Sequence, residues 1–389
     1  MALLLSGFAS AQYVPTYDAS QTNMGDDLTT LFGGATVTSI QATTAAGPIV
    51  GRSCPDGLAR FYGVPVSNST AAAQPRFKMP IALTPWTTPM ETTQIKHCYQ
   101  GDDCHFLHVA TPIAKVSDPP VADLDPVFVY FTGGGYMNEG NAAGQNMRLA
   151  YHARTGAVFV YAHYRLGPLG FAAHPGFDAN GNGALGLADG IEALQWVNTN
   201  IAYFGGDAAR VSIRGASAGG AYVSLILASP RSQGLINNVF AMSPYTNYED
   251  AFFSQKVAFE VSMLYVHMFD CSTSFTPPAV GSAEAASQAA CLTSGDWFQS
   301  GRTDGSTMND ASLMLWNQTT TGYDAATTIT AFNTFYGVTN LWQQQVGYMP
   351  LTTYPNVDGY ILDLPPLASF ARGGNKDVTV VYGTVSVPA

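Results

Sequence analysis

The chain has 389 residues, of which 47% are hydrophobic and only 11% are charged. This length accommodates one large α/β domain or two ordinary domains. Lysine and arginine number 16 against 27 aspartates and glutamates, so the formal net charge is −11. A surface so poor in basic residues argues against nucleic acid or anionic lipid as a partner. No apolar run approaches the ~20 residues of a membrane span, which predicts a soluble protein.

The first eleven residues have the features of the end of a secretory signal. An apolar stretch over 2–5 is followed by Ala9-Ser10-Ala11, although no basic residue precedes Arg52. We expect residues 1–11 to be a clipped signal peptide and 12–389 to form one secreted domain. The chain also has two glycosylation sequons, which are compatible with secretion: Asn68-Ser69-Thr70 and Asn317-Gln318-Thr319.

The first third of the chain predicts short strands and turns that lead to buried parallel strands. Residues 12–50 lack a helical period, and proline, glycine and aromatic residues are dense from residue 51 onward. Pro126 to Phe131 is an uninterrupted apolar run, typical of a strand buried on both faces of a parallel sheet. A second run of this kind covers 158–164.

Three consecutive glycines, Gly133 to Gly135, follow the first of these strands almost directly. Bare backbone at the carboxyl end of a central strand is poor for stability, so a tight turn or a functional need must explain it. The N–H groups of such a loop can point at the charge that develops on a tetrahedral intermediate. We interpret the loop as an oxyanion hole, with a tight turn as the alternative.

The stretch Gly215-Ala216-Ser217-Ala218-Gly219 lies between a strand-like run over 210–214 and an aliphatic run over 220–227. Helical spacing over 185–201 precedes it, so strand, helix and strand alternate as in a doubly wound α/β fold. In a nucleophile elbow the serine occupies a strained strand-to-helix turn, where a Cβ on either flanking glycine would collide with backbone. The pattern therefore predicts that Ser217 is a nucleophile.

The remainder of the chain is predicted to alternate between strands and helices. The sequence predicts a strand over 238–243, helices at about 250–268, 284–292 and 308–317, and a final parallel strand over 378–382. Five cysteines are an odd number, so an oxidising compartment favours two disulfides and one spare thiol. Cys271 and Cys291 bracket a loop rich in serine, threonine and proline, and we expect them to pair.

Two stretches contain residues of the kinds that ligate metal ions. The first combines two thiols with two imidazoles: Cys98, Cys104, His105 and His108. Its spacing differs from that of zinc fingers, and a secreted chain would sooner oxidise the thiols. The second, Asp178 to Gly183, matches half of an EF-hand loop, with Asp189 at the closing position, but no amphipathic helix precedes it. We therefore predict no metal and no cofactor, with zinc and calcium as the alternatives.

Taken together, the motifs resemble the type-B carboxylesterases, the family that also holds cholinesterases and certain lipases. The stretches that carry the resemblance are Phe61 to Pro65 with Arg76-Phe77, Asp103-Cys104, Gly133 to Tyr136, Tyr164 to Gly170, Ala193 to Val197 with Asn200-Ile201, Phe204 to Asp207, Gly215 to Gly220 and Val357-Asp358-Gly359. The resemblance implies an α/β-hydrolase fold, with a mostly parallel, doubly wound sheet. Ser217 is then the nucleophile.

The resemblance also assigns roles to backbone groups and cysteines. It implies that the N–H groups of Gly134, Gly135 and Ala218 form the oxyanion hole. It implies two disulfides, Cys98 to Cys104 and Cys271 to Cys291, which leave Cys54 unmatched.

The chain departs from the family pattern in three places. Thr132 replaces the usual histidine before the glycines, and Ala216 replaces the usual glutamate before the serine. The triad order is serine, acid, histidine, yet only His267 follows Ser217, and it lies in a helical stretch. In the family the acid and the histidine come after the strand that matches 378–382. We therefore expect this chain to be truncated before both, with the fold incomplete at its C-terminal end.

The function implied by the resemblance is hydrolysis of small-molecule carboxylic esters through an acyl-enzyme. Without its base and acid, such a site keeps only about 10³ to 10⁴ over water from the oxyanion hole and binding. Two alternatives therefore remain. The first is an inactive fragment or non-catalytic binding relative. The second is a lipase, and the shape of the lid and acyl pocket would distinguish a lipase from an esterase.

Overall fold

The computed structural model describes residues 35–68, 76–94, 96, 98, 104–136, 156–244, 253–294 and 355–383. The strands within these ranges are β1 (Thr38–Thr43), β2 (Pro48–Ser53), β3 (Leu58–Pro65), β4 (Met90–Glu91), β5 (Phe106–Pro112), β6 (Asp125–Phe131), β7 (Val158–Ala162), β8 (Gly206–Ala216), β9 (Asn238–Met242), β10 (Phe253–Ser254), β11 (Asn356–Val357) and β12 (Thr379–Gly383). The α-helices are α1 (Gly167–Phe171), α2 (Leu185–Asn200), α3 (Ala218–Ala228), α4 (Gln255–Met268), α5 (Ala283–Ser294) and α6 (Pro366–Ala371).

A mixed sheet with the order β1-β2-β3-β5-β7-β6-β8-β9-β12 forms the centre of the fold, with β4 paired to β2. Pairing is antiparallel from β1 through β2, β3 and β5 to β7. It is parallel from β7 through β6, β8 and β9 to β12. Parallel neighbours need crossover connections, and α2 and α3 lie in the connections on either side of β8. The predicted α/β class is confirmed, and the elbow strand lies in the parallel half.

The apolar runs of the sequence become the buried centre of this sheet. All five residues of β7 are buried, and in β6 Val127, Val129 and Phe131 have no exposed surface. Helix α3 is buried on every side, as expected of an apolar helix that packs within a core. Each fully buried aliphatic or aromatic side chain contributes about 1.5–3 kcal/mol. The elbow therefore leads into a fully buried helix, beside the buried strand β6.

Both predicted disulfides are confirmed. Cys98 bonds to Cys104, and Cys271 bonds to Cys291 across a sequence separation of 20. Cys54 is a buried free thiol. Residues 1–34, the predicted helix over 308–317 and the second sequon at Asn317 lie outside the described residues. Within the described part of the chain, no helix has the length and hydropathy that would be needed to cross a membrane.

Asp189, the closing position of the calcium alternative, lies within α2 and is buried. Its oxygens accept hydrogen bonds from Arg165 Nε at 2.8 Å and Arg165 Nη2 at 2.7 Å. Burial raises the pKa of the Asp189 carboxyl, but Arg165 and then His105 outweigh it and hold this pKa below its usual value. Asp178, the first residue of the same loop, pairs with Lys78 at 2.8 Å. Two residues that calcium would need are thus already paired, which argues against this alternative.

We expect Asp189→Asn to lower the free energy of unfolding by about 3–5 kcal/mol, because the Arg165 charge would stay buried without its counter-charge. The folded pKa of Asp189 is depressed, so its contribution is complete at neutral pH. That contribution is lost as the pH falls below the unfolded value of about 3.9. Urea denaturation from pH 7 down to pH 3 measures both effects.

The matched control is Asp178→Asn, which removes one partner of an exposed ion pair. Its cost should stay within about 1 kcal/mol, since solvent screens such pairs. Equal costs for the two substitutions at pH 7 would contradict the prediction, as would a cost of Asp189→Asn that does not change with pH.

Candidate active site

Ser217 occupies a strained turn between the last residue of β8 and the first residue of α3. Its backbone angles are φ 57° and ψ −125°, a conformation that costs an ordinary residue on the order of 1–3 kcal/mol. Its N–H donates to the Met242 carbonyl at 2.9 Å, and its carbonyl accepts from the Ala221 N–H at 3.1 Å. The strand, turn and helix expected of a nucleophile elbow are therefore present.

Three glycines allow this turn to pack against the loop that follows β6. A Cβ on Gly215 would lie 2.1 Å from the Gly219 carbonyl oxygen, and one on Gly219 would lie 2.5 Å from the Phe131 carbonyl oxygen. A Cβ on Gly133 would lie 2.4 Å from the Ala216 carbonyl oxygen. In all three cases the obstructing atom belongs to the backbone, which cannot rotate away as a side chain would.

The predicted oxyanion residues belong to the two segments that meet here: Gly134 and Gly135 follow Gly133 in the glycine loop, and Ala218 follows Ser217. The position that a Cβ on Gly133 would take lies 3.3 Å from the Cβ of Ser217, so the glycine loop passes directly beside the serine. Gly134 and Gly135 have φ values of 115° and 65°, which glycine adopts without a Cβ penalty. Ala218 begins α3, where N–H groups lack intrahelical partners and the helix dipole favours negative charge. This arrangement suits stabilisation of an oxyanion.

A pair of stacked tyrosines supports the glycine loop from behind. Tyr164 Oη donates to the Thr132 carbonyl at 2.8 Å, and its ring stacks on Tyr222 with centroids 4.1 Å apart. Tyr222 Oη donates to the Gly186 carbonyl of α2 at 2.5 Å. Burial raises the pKa of Tyr222 well above its ordinary value, so this hydroxyl remains a donor. The sequence indicates Tyr164 only as the last residue of the apolar run over 158–164, and in the structure it lies two residues beyond the end of β7.

No described histidine is bonded to the serine. Within the ranges that the structure describes, Ser217 Oγ forms no hydrogen bond with a side chain. His267 lies in the last turn of α4, where its ring packs on Phe275 with centroids 4.5 Å apart. His108 and His163 bond to each other through their Nε2 atoms at 3.1 Å. The expectation that the triad acid and histidine come after the strand that matches 378–382 stays a prediction.

The zinc alternative is also opposed by specific contacts. Cys98 and Cys104 are joined in a disulfide, so neither sulfur is a thiolate. Nδ1 of His108 accepts a hydrogen bond from the Gly63 N–H at 2.8 Å. Among the described residues, no group of three or more histidine, cysteine, aspartate or glutamate side chains is arranged to hold a metal ion.

Comparison with known proteins agrees with the geometry. Residues 38–297 match the model of the carboxylesterase family. The chain is 36% identical over 196 residues to esterase E4 of Myzus persicae, a match that covers 47% of this chain and 34% of that protein. It is 29% identical over 247 residues to an acetylcholinesterase of Leptinotarsa decemlineata, which covers 55% and 39% of the two chains. The matches thus span 34–39% of the length of these curated relatives.

Solved structures show the same fold. A carboxylesterase of Geobacillus stearothermophilus superposes with a TM-score of 0.62 at 21% identity, which covers 88% of this chain and 61% of that one. A PNB esterase superposes with the same TM-score at 22% identity, which covers 90% and 64% of the two chains. The fold is therefore that of the α/β-hydrolases.

We expect Gly219→Ala to lower the free energy of unfolding by at least about 2 kcal/mol, because its Cβ would overlap two backbone carbonyls. The measurement is chemical denaturation followed by circular dichroism. Gly383→Ala is the control, since a Cβ there meets nothing within 4 Å, and its effect should stay within about 0.5 kcal/mol. Comparable unfolding midpoints for the two variants would be incompatible with the close approach at Gly219.

Proposed function

Because the chain belongs to the carboxylesterase family, we propose that it is a carboxylic ester hydrolase whose nucleophile is Ser217. The observation that carries the proposal is the strained backbone of Ser217, packed against a glycine loop with no side chain between them. The substrate class proposed is small-molecule carboxylic esters.

The proposed reaction proceeds in two steps through an acyl-enzyme. Ser217 Oγ attacks the ester carbonyl carbon, its proton passes to a base, and the alcohol leaves with a proton from that base. Water then attacks the acyl-enzyme in the same way and releases the carboxylic acid. In both steps the N–H groups of Gly134, Gly135 and Ala218 hold the oxyanion, and each such donor is worth about 2.7–4 kcal/mol.

The proposed reaction requires a general base beside Ser217. A serine hydroxyl is a weak nucleophile at its ordinary pKa, so a histidine and its orienting acid must act with Ser217. None of the described histidines does so. The second candidate function, a non-catalytic binding relative, is favoured by this one observation, because an elbow without a base can still form a ligand pocket.

We also propose that the protein is secreted. The two disulfides support this, since such bonds persist in oxidising compartments. Glycosylation at Asn68 is less well supported. Its Nδ2 donates both hydrogens, to the Ala82 carbonyl at 2.8 Å and to Thr84 Oγ1 at 3.2 Å, so an attached sugar would replace one of these bonds.

We expect the native, full-length protein to hydrolyse p-nitrophenyl acetate and to react with a fluorophosphonate probe. Ser217→Ala should reduce turnover by at least about 10³-fold and abolish labelling, because the attacking oxygen is gone. The control is Ser212→Ala, a buried serine of β8 whose hydroxyl bonds to Asn238 at 3.1 Å. Unchanged turnover in Ser217→Ala would refute the assignment of the nucleophile. A folded wild-type protein that neither turns over nor labels would favour the binding relative.

Tyr164→Phe should lower kcat by about 3- to 10-fold and leave KM nearly unchanged, since the glycine loop loses one buried hydrogen bond of about 0.5–1.5 kcal/mol. Steady-state kinetics on p-nitrophenyl acetate provide the measurement. Thr111→Val is the matched control, because it removes a buried hydroxyl that donates to the Phe204 carbonyl at 2.7 Å, before the start of β8. A kcat that falls equally in both variants would show a general effect of destabilisation and no positioning role for Tyr164.

A further inference from the structure

A cleft of about 350 Å³ lies between α2 and the turn that joins β1 to β2. Ala45 and Ala46 line it from the turn, Leu83 and Pro85 from a loop, and Glu192 and Trp196 from α2. This volume lies within the range of small-molecule sites. The helix α2 leads into the start of β8, whereas Ser217 follows its end. The cleft and the elbow therefore lie toward opposite ends of that strand.

Hydrogen bonds hold the walls of the cleft in place. Asn200 Oδ1 accepts from the Ala45 N–H at 2.7 Å, and the Ala46 carbonyl accepts from the Trp86 N–H at 2.8 Å. On the other wall, Asn68 bonds to the Ala82 carbonyl at 2.8 Å. Walls fixed in this way need little ordering when a ligand binds, which lowers the entropic cost of binding.

Among the described residues that line the cleft, Glu192 alone is ionisable. It is half-buried, and its carboxylate forms no hydrogen bond or ion pair with any residue in the described ranges. Burial raises its pKa, and the charge of nearby Asp189 raises it further. Among the described residues, none gives Glu192 the counter-charge that Arg165 gives to Asp189. A cation that entered the cleft would supply it.

The remaining walls of the cleft indicate that the uncharged part of such a ligand is apolar. Ala45, Ala46, Leu83 and Pro85 are apolar, and Trp196, one helical turn after Glu192, adds an indole. An anionic ligand would be repelled by Glu192, and a neutral ligand would desolvate the carboxylate further without pairing it.

From this geometry we propose that the cleft is a second binding site, separate from Ser217, for a small organic amine. The protonated nitrogen pairs with the Glu192 carboxylate, and an apolar body about the size of one ring lies against Ala46, Leu83 and Pro85. The site does not depend on the proposed esterase activity.

The test uses 2-phenylethylamine, a cation at pH 7, with binding to the full-length protein followed by ligand-observed NMR and calorimetry. We expect saturable binding, and at least a tenfold loss of affinity in Glu192→Gln, because a charge-assisted hydrogen bond becomes a neutral one. The neutral analogue 2-phenylethanol should bind more weakly than the amine and should not distinguish the two proteins. Glu260→Gln controls for net charge, because Glu260 lies on α4 outside the cleft and its loss should leave amine binding unchanged.

Three results would overturn the proposal: no saturable binding of the amine, equal affinity in Glu192→Gln, or displacement of the amine by a fluorophosphonate attached to Ser217. The last result would place the amine in the active site. If Glu192→Gln does not fold, Ala46→Leu tests the same site, since a larger side chain there should fill the cleft and weaken binding by a similar factor. Amine binding that persists in Ser217→Ala supports a site independent of the esterase.

Discussion

The close approach of bare backbone at three glycines is the constraint on which the candidate active site depends. Strands β6 and β8 are parallel neighbours, with Phe131 opposite Gly215. Their carboxyl ends therefore meet at one edge of the sheet, and the loop after β6 must share space with the turn after β8. Side chains at Gly133, Gly215 or Gly219 would fill that space. The glycines follow from the topology of the sheet, and the close approach of the loop after β6 to Ser217 follows from the glycines.

The strain at Ser217 is offset by interactions that surround it. Helix α2 is joined twice to the structure behind the elbow: Gly186 accepts from Tyr222 of α3, and Asp189 accepts from Arg165 after β7. Tyr164, the neighbour of Arg165, connects this support to the glycine loop through its hydrogen bond to the Thr132 carbonyl. Three segments distant in sequence thus fix the glycine loop and the elbow relative to each other. A rigid support of this kind would keep the proposed oxyanion donors in place without reorganisation.

The sequence predicted those features whose cause is local. The uninterrupted apolar run of β6, the helical spacing of α2 and the elbow at Ser217 are each decided by a few neighbouring residues. Features with a long-range cause were missed. Asp189 fits the closing position of a calcium loop, and only the distant Arg165 shows that it forms a buried ion pair. The antiparallel half of the sheet likewise depends on pairing between short strands, whose register tertiary contacts decide.

Helix α2 carries two carboxylates, Asp189 and Glu192, in different surroundings. Asp189 and Glu192 are three residues apart, so they lie on neighbouring parts of the helix surface. The pKa of Asp189 is lowered because Arg165 pairs with it, while that of Glu192 is raised by burial and by the charge of Asp189. A half-buried carboxylate that no described residue pairs with a counter-charge is a poor choice for stability alone. The position of Glu192 in a cleft with fixed apolar walls is understandable if a ligand supplies the cation. The Asp189 carboxylate, in contrast, receives its cation from Arg165 within the protein.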